Sequence, residues 1–244
     1  MESLKNKVVL IVGGGTGIGL GIGVAFAHEG STVVLAARTQ STLEAAKKLP
    51  NIGASLLTKP CDATSRTQVA ELVTWATQQA GPIDILVYSA GMNVPKRTFA
   101  DINPEDFDRV MSVNTTGAFN CLHAVLPAMR ARKSGLILNI VTLGGLRMLQ
   151  LAGLPYSASK FAQSAIGHFA NLEALPDGVR VTNIYPGETE TPILDKRPVP
   201  PSAEQRARMI QPEDVAAMAV AVAKLPPRAT VPEIVITPRH MPLL

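Results

Sequence analysis

The sequence predicts an α/β fold: a doubly wound, mostly parallel sheet of about seven strands with helices on both faces. Short β-branched runs alternate with longer helical stretches along the whole chain. Those runs are apolar throughout rather than alternating in polarity, as strands covered on both faces should be. A glycine-rich turn separates the first run from the first helical stretch. With 244 residues, 46% hydrophobic and 17% charged, the chain can bury one sizeable core and is too apolar to be disordered. One domain spanning residues 1–244 is therefore expected.

Strands are expected at Val8–Val12, Thr32–Ala37, Ala54–Lys59, Ile83–Tyr88, Leu136–Thr142, Val179–Tyr185 and Glu233–Ile236. Helices are expected at Gly17–Glu29, Ser41–Leu49, Arg66–Ala80, Pro104–Arg132, Tyr156–Leu175 and Pro212–Leu225. Asn103 before Pro104, with Asp106 in the first turn, is a start signal for the fourth helix. Strand–helix alternation implies right-handed crossovers and a single sheet. The proline-rich segment from Pro192 to Pro201 reads either as a surface loop or as part of a substrate lid over residues 188–211.

Several function classes are disfavoured. Cys61 and Cys121 are far apart and form no CxxC, so a disulfide scaffold is not expected and a reducing cytoplasm fits. His28, His123, His168 and His240 are scattered, with no HExxH and no Cys/His cluster, so no metal centre is expected. The net charge of +4 is dispersed and aromatic residues are only 4% of the chain, which speaks against a nucleic-acid platform. Val8–Ala27 is free of charge and long enough to span a bilayer, but Gly13-Gly14-Gly15 would break a soluble helix there. No membrane segment is expected.

The turn reads Gly13-x-x-x-Gly17-x-Gly19, between the first strand and the first helix. Glycines there let the backbone turn sharply and approach a pyrophosphate at the helix N-terminus, as in Rossmann-type folds. A carboxylate about 20 residues past the turn would bind the adenosine ribose hydroxyls and mark NAD. That place holds Ala37, followed by Arg38 and Thr39. A guanidinium suits a 2′-phosphate, so Arg38 points to NADP(H) rather than to a merely solvated residue.

Tyr156-Ser157-Ala158-Ser159-Lys160 opens a helical stretch, and positions i and i+4 share a helix face. A free phenol has a pKa near 10 and is a poor acid–base group at neutrality. A cation about 4 Å away contributes on the order of 4 kcal/mol at an effective dielectric of about 20. That is roughly three pK units, so Lys160 is expected to make Tyr156 a usable proton donor or acceptor.

Together these features resemble a single-domain member of the short-chain dehydrogenase/reductase superfamily over essentially the whole chain. The family's glycine motif matches Gly13, Gly17 and Gly19, with Ile18 inside it, although its usual preceding threonine is Val12. Its acidic residue after the third strand matches Asp62, followed by Ala63. Its Asn-Asn-Ala-Gly is represented by Tyr88-Ser89-Ala90-Gly91, of which only Ala90 and Gly91 match. Its mid-helix asparagine matches Asn114, and its Pro-Gly-x-x-x-Thr segment matches Pro186, Gly187 and Thr191, with Thr189 between.

The resemblance implies that these residues hold the dinucleotide, that Lys160 binds the nicotinamide ribose, and that Asn114 supports a water-linked proton path. The family's catalytic serine, commonly thirteen residues before the tyrosine, has no counterpart at Leu143. Thr142, fourteen before, can donate to a substrate carbonyl instead, the alternative being that it is only a strand residue.

The expected activity is NADPH-dependent hydride transfer between the cofactor and a carbonyl or secondary alcohol. Tyr156 would donate the proton, with Thr142, Lys160 and Asn114 in support. Enoyl-thioester reduction is a second reading, for which Lys196-Arg197 is the one candidate carrier site. A non-catalytic dinucleotide-sensing module on the same fold is a third. Leu143, Leu146, Met148, Leu149, Leu151 and Leu154 crowd the stretch before Tyr156, either as pocket walls for a small-molecule substrate or as interface residues. The resemblance further implies pairing of the long helices between subunits, giving a homodimer or homotetramer.

Overall fold

The computed structural model describes residues 1–49 and 56–241. Seven strands form one parallel sheet: β1 (Val8–Val12), β2 (Thr32–Ala37), β3 (Leu56–Pro60), β4 (Ile85–Tyr88), β5 (Gly135–Ile140), β6 (Val179–Pro186) and β7 (Glu233–Ile236). Their order is β3-β2-β1-β4-β5-β6-β7. The first two residues of the expected run Ala54–Lys59 lie outside the described residues.

Period-two alternation sorts β1 onto two cores. Val8, Leu10 and Val12 pack with α3 (Arg66–Ala80), α5 (Gly117–Ala131) and α6 (Leu154–Ala174). Val9 and Ile11 pack with α1 (Gly17–His28), α2 (Gln40–Lys47) and α8 (Pro212–Ala223), while α4 (Pro104–Met111) and α7 (Ala203–Ala207) complete the helices. All five β1 residues are buried, which is why that strand is apolar on both faces.

The order reverses between β1 and β4, which pair in register Val9↔Ile85 to Val12↔Tyr88. Ligands bind at such a switch point, beyond the carboxyl ends of the strands. Gly13, Gly17 and Gly91 follow directly there, because the strands that precede them end side by side.

Two expectations need correction. The helix expected over Pro104–Arg132 is interrupted by a π-helical turn at Ser112–Thr116, which separates α4 from α5. An extra residue in a turn frees a backbone carbonyl. The buried Tyr88 hydroxyl donates to that of Val113 at 2.5 Å, and a Cβ at residue 117 would collide with the same hydroxyl. The fifth strand stops at Ile140, so Thr142 is not a strand residue; it precedes a 3-10 turn at Leu143–Gly145.

Candidate active site

The first crevice, a cavity of about 460 Å³, runs over the carboxyl ends of β1, β2 and β4. Its floor is the Gly13–Ile18 turn. Gly13 has φ +88°, and a Cβ there would collide with the backbone of Ser89 and Ala90. Gly19 does not line the crevice; a Cβ at 19 would overlap the Gly13 carbonyl oxygen, so its absence lets helix and turn close on each other. The first turn of α1 carries no acidic residue and no side-chain cap, which leaves its N–H groups free for an anion.

Arg38 and Thr39 line one end of this crevice, and Arg38 is exposed with no ion-pair partner among the described residues. Asp62 and Ala63 also line it, as do Ala90 and Gly91. The Asp62 carboxylate accepts from the Thr64 amide and hydroxyl, both at 2.9 Å, so its orientation is fixed. Glycine backbone, an unobstructed helix N-terminus and a free guanidinium are the donor set a phosphorylated dinucleotide needs, and the residues present fit such a group.

Tyr156 and Lys160 stand at the opposite end of the crevice, on α6, whose entry is set by Gly153 and Pro155. Tyr156 also lines a second cavity of about 330 Å³, with Thr142, Pro186, Gly187 and Thr189. Thr191 lies on the wall shared by the two cavities. Asn114 is fully buried in the π-turn; its Oδ1 accepts from the Met92 amide at 2.8 Å, and its Nδ2 donates to the Ser159 hydroxyl at 2.9 Å. A Cβ on Gly91 would lie 3.5 Å from Lys160 Nζ and 3.6 Å from Asn114 Oδ1, so the π-turn brings the amide close to the amine.

The electrostatics depart from the sequence expectation. Lys160 Nζ lies 5.7 Å from the centre of the Tyr156 ring and donates to Gln163 Oε1 at 2.6 Å and to the Ile140 carbonyl at 3.2 Å. Burial lowers its pKa to about 7. Enclosure by the protein raises Tyr156 to about 12, and the positive charge that pulls it back down is that of Arg97. The Lys160 amine is thus turned to neutral acceptors, Gln163 Oε1 and the Ile140 carbonyl, rather than to the phenol hydroxyl.

Thr142 has its hydroxyl directed at the Pro186 carbonyl, 3.2 Å away. The Tyr156 hydroxyl has no hydrogen-bond partner among the described residues and opens to the cavities.

Gln163 and Arg97 escaped the sequence reading. Gln163 lies three residues beyond Lys160 on the same helix face, a spacing that could have drawn attention to it. Arg97 carried no such signal. The leucine-rich stretch divides: Met148, Leu149 and Leu151 line the second cavity, whereas Leu143 is buried and lines neither cavity. The segment after β6 covers both cavities, with Ile193 touching each, and Glu188 pairs with Arg197 at 3.0 Å. Among the described residues there is no cluster of metal-ligating side chains and no helix long and apolar enough to cross a membrane.

Comparison with known proteins agrees with this architecture. The chain is 35% identical to glycine betaine reductase ATRR of Emericella nidulans over 98% of its own length, although it spans only 19% of that protein. It superposes on the closed form of serine dehydrogenase complexed with NADP+ with a TM-score of 0.88 and 26% identity, covering 96% of each chain. It also matches 3-ketoacyl-(acyl-carrier-protein) reductase from Brucella melitensis complexed with NADH, with a TM-score of 0.85 and 28% identity, covering 96% of this chain and 98% of that one. The family description "short chain dehydrogenase" matches residues 7–199, from the start of β1 through the segment that roofs both cavities. By that match the chain belongs to the short-chain dehydrogenase family, oxidoreductases that work with a nicotinamide dinucleotide.

Proposed function

We propose that the protein is an NADP(H)-dependent oxidoreductase that interconverts a carbonyl and a secondary alcohol. One observation carries the reading: the Tyr156 phenol forms a wall common to the dinucleotide crevice and the second cavity. A proton donor in that position serves a reaction whose hydride side and substrate side are two adjoining spaces.

When bound, the dinucleotide supplies the hydride. Gly13, Gly17, Ile18, Arg38, Thr39, Asp62, Ala63, Ala90 and Gly91 would hold its adenosine and pyrophosphate end, with Gly19 keeping the turn closed. Thr191, on the wall shared by both cavities, and Pro186, Gly187 and Thr189, which line the second cavity only, would hold its nicotinamide end where the two spaces meet. Arg38, exposed and without a carboxylate partner among the described residues, supports NADP(H) over NAD(H), since a guanidinium offers fixed paired donors to a phosphate. The relatives alone do not decide this, as one neighbour carries NADP+ and another NADH.

In the reductive direction Tyr156 donates its proton to the carbonyl oxygen. Thr142 turns its hydroxyl from the Pro186 carbonyl to the same oxygen, where negative charge develops. Lys160, with a pKa near 7, returns a proton to Tyr156 and would hold the nicotinamide ribose. Asn114, locked by Met92 and Ser159, keeps the polar route beside that amine open. The carrier site needed for an enoyl thioester has little support: Arg197 is already paired with Glu188.

The single parallel sheet supports one domain, and the buried free thiols of Cys61 and Cys121 fit a cytoplasmic protein. Phe169 and Leu172, 62% and 71% exposed on α6, support pairing of that helix between subunits in a homodimer or homotetramer. The test of function is a screen of aliphatic and aromatic carbonyl compounds, following the absorbance of reduced nicotinamide with NADPH and with NADH. Carbonyl-dependent oxidation of NADPH is the expected result. Binding of NADPH without oxidation by any carbonyl would favour the sensing module instead.

A further inference from the structure

Arg97 lies in the loop between β4 and α4 and is only 6% exposed. Its guanidinium donates to three backbone carbonyls: Nε to Pro95 at 3.4 Å, Nη1 to Leu151 at 3.1 Å and Nη2 to Lys196 at 2.8 Å. A guanidinium has five N–H donors, so two remain. Among the described residues no carboxylate lies within ion-pair distance of it. A buried charge without a counter-ion is costly, and proteins rarely keep one without a use.

The charge balance of the second cavity points the same way. Its charged lining residues are Arg97, Arg197 and Glu188, and Glu188 is taken by Arg197 at 3.0 Å, with His240 at 3.2 Å on its other oxygen. One positive charge is left over, and it is that of Arg97. The glycine turn and Arg38, which would hold the cofactor phosphates, line the first crevice, and Arg97 does not, so a cofactor phosphate is not its counter-ion. It is also near enough to Tyr156 for the two to influence each other's ionisation.

We infer that the second cavity takes an anionic substrate, a small hydroxy or oxo acid whose carboxylate pairs with Arg97 while its reacting carbon faces Tyr156. The inference rests on the proposed role of Tyr156 for the second half of that statement only. The cavity, at about 330 Å³, is at the small end of ligand sites, and Met148, Leu149 and Leu194 provide apolar walls for a short carbon skeleton. A carboxylate on a guanidinium takes up paired donors and fixes the orientation of the rest of the molecule. It would also complete the neutralisation that Glu188 begins.

Arg97 joins three segments that are distant in sequence, and Gly153, with φ +79°, leaves room for its stem. A purely structural strap is therefore the rival account, and the experiment has to separate the two. The probes are straight-chain 2-oxo and 3-oxo acids of three to six carbons, each paired with its methyl ester. Calorimetry on NADP+-loaded protein reads binding without turnover, and kcat/KM with NADPH reads the reaction, for the wild type, Arg97→Gln and Arg97→Lys.

At least one acid is expected to bind more tightly than its ester. The acid-to-ester ratio of kcat/KM should fall about 100-fold in Arg97→Gln, as suits loss of a hydrogen bond to a charged group, and recover in part in Arg97→Lys. Equal treatment of every acid and its ester by the wild type overturns the inference. So does an Arg97→Gln variant that weakens acid and ester alike, which is the outcome for a strap. Acid binding without any turnover leaves the anion site standing and removes the reductase reading. Should Arg97→Gln lose its circular dichroism, the wild-type pairs and Arg97→Lys decide the matter.

Discussion

Replacing Lys160 by methionine tests the buried amine by way of stability. Lys160 is 3% exposed, and burial lowers its pKa from 10.5 to about 7. Between those values the folded protein binds fewer protons than the unfolded chain, so unfolding takes up protons and stability rises with pH. Below pH 7 the penalty of the buried charge is fully present. Above pH 8 the gain is opposed by the thiols, because burial raises Cys61 to about 11 and raises Cys121 as well; the unfolded thiols ionise first and draw the equilibrium toward unfolding.

The clean window is therefore pH 7 to 8, over which the linkage relation gives a gain of about 1 kcal/mol. Urea unfolding of the protein at pH 7, 7.5 and 8 measures it. The wild type should gain that amount while Lys160→Met stays nearly flat and is the more stable of the two at pH 7. Parallel slopes in the two proteins would refute the reasoning, since they would mean that the amine keeps an ordinary pKa despite its burial.

Other outcomes follow from the same geometry. Arg38→Asp should weaken NADPH binding about 100-fold and shift preference toward NADH, read by fluorescence titration of both cofactors; equal affinities in the unmodified protein would contradict the role of Arg38. Gly19→Ala forces a Cβ onto the Gly13 carbonyl and should cost about 2 kcal/mol of stability, with a measurable loss of dinucleotide affinity in the same titration. Thr142→Val should lower kcat about 100-fold while Thr142→Ser retains most of it. A fully active valine variant would show that the hydroxyl serves only the Pro186 carbonyl.

Much of the architecture was legible because buried parallel strands advertise themselves. Val8–Val12 is apolar on both faces since both faces meet helices, and its ends agree between sequence and structure. The turn after it was legible because close backbone approach requires glycine. Tyr156 and Lys160 were legible because an i, i+4 spacing survives in any helix.

What stayed hidden depends on contacts between distant segments. The π-turn at Ser112–Thr116 inserts a residue without breaking the surrounding apolar pattern, so the chain from Pro104 to Arg132 reads as one helix. Its partner, the Tyr88 hydroxyl, is 25 residues away in sequence. Lys160 was expected to charge the phenol; the Gln163 amide and the Ile140 carbonyl hold it elsewhere, and its desolvation follows from packing that no local pattern records. Arg97 looks like one more loop cation until Pro95, Leu151 and Lys196 close around it.

The most direct test of the account is Tyr156→Phe, which removes one oxygen atom at the wall between the two cavities. With the carbonyl substrate found in the screen, kcat should fall about 1,000-fold while NADPH binds as tightly as before. Turnover at the wild-type rate by the phenylalanine variant would contradict the assignment of Tyr156 as the proton donor.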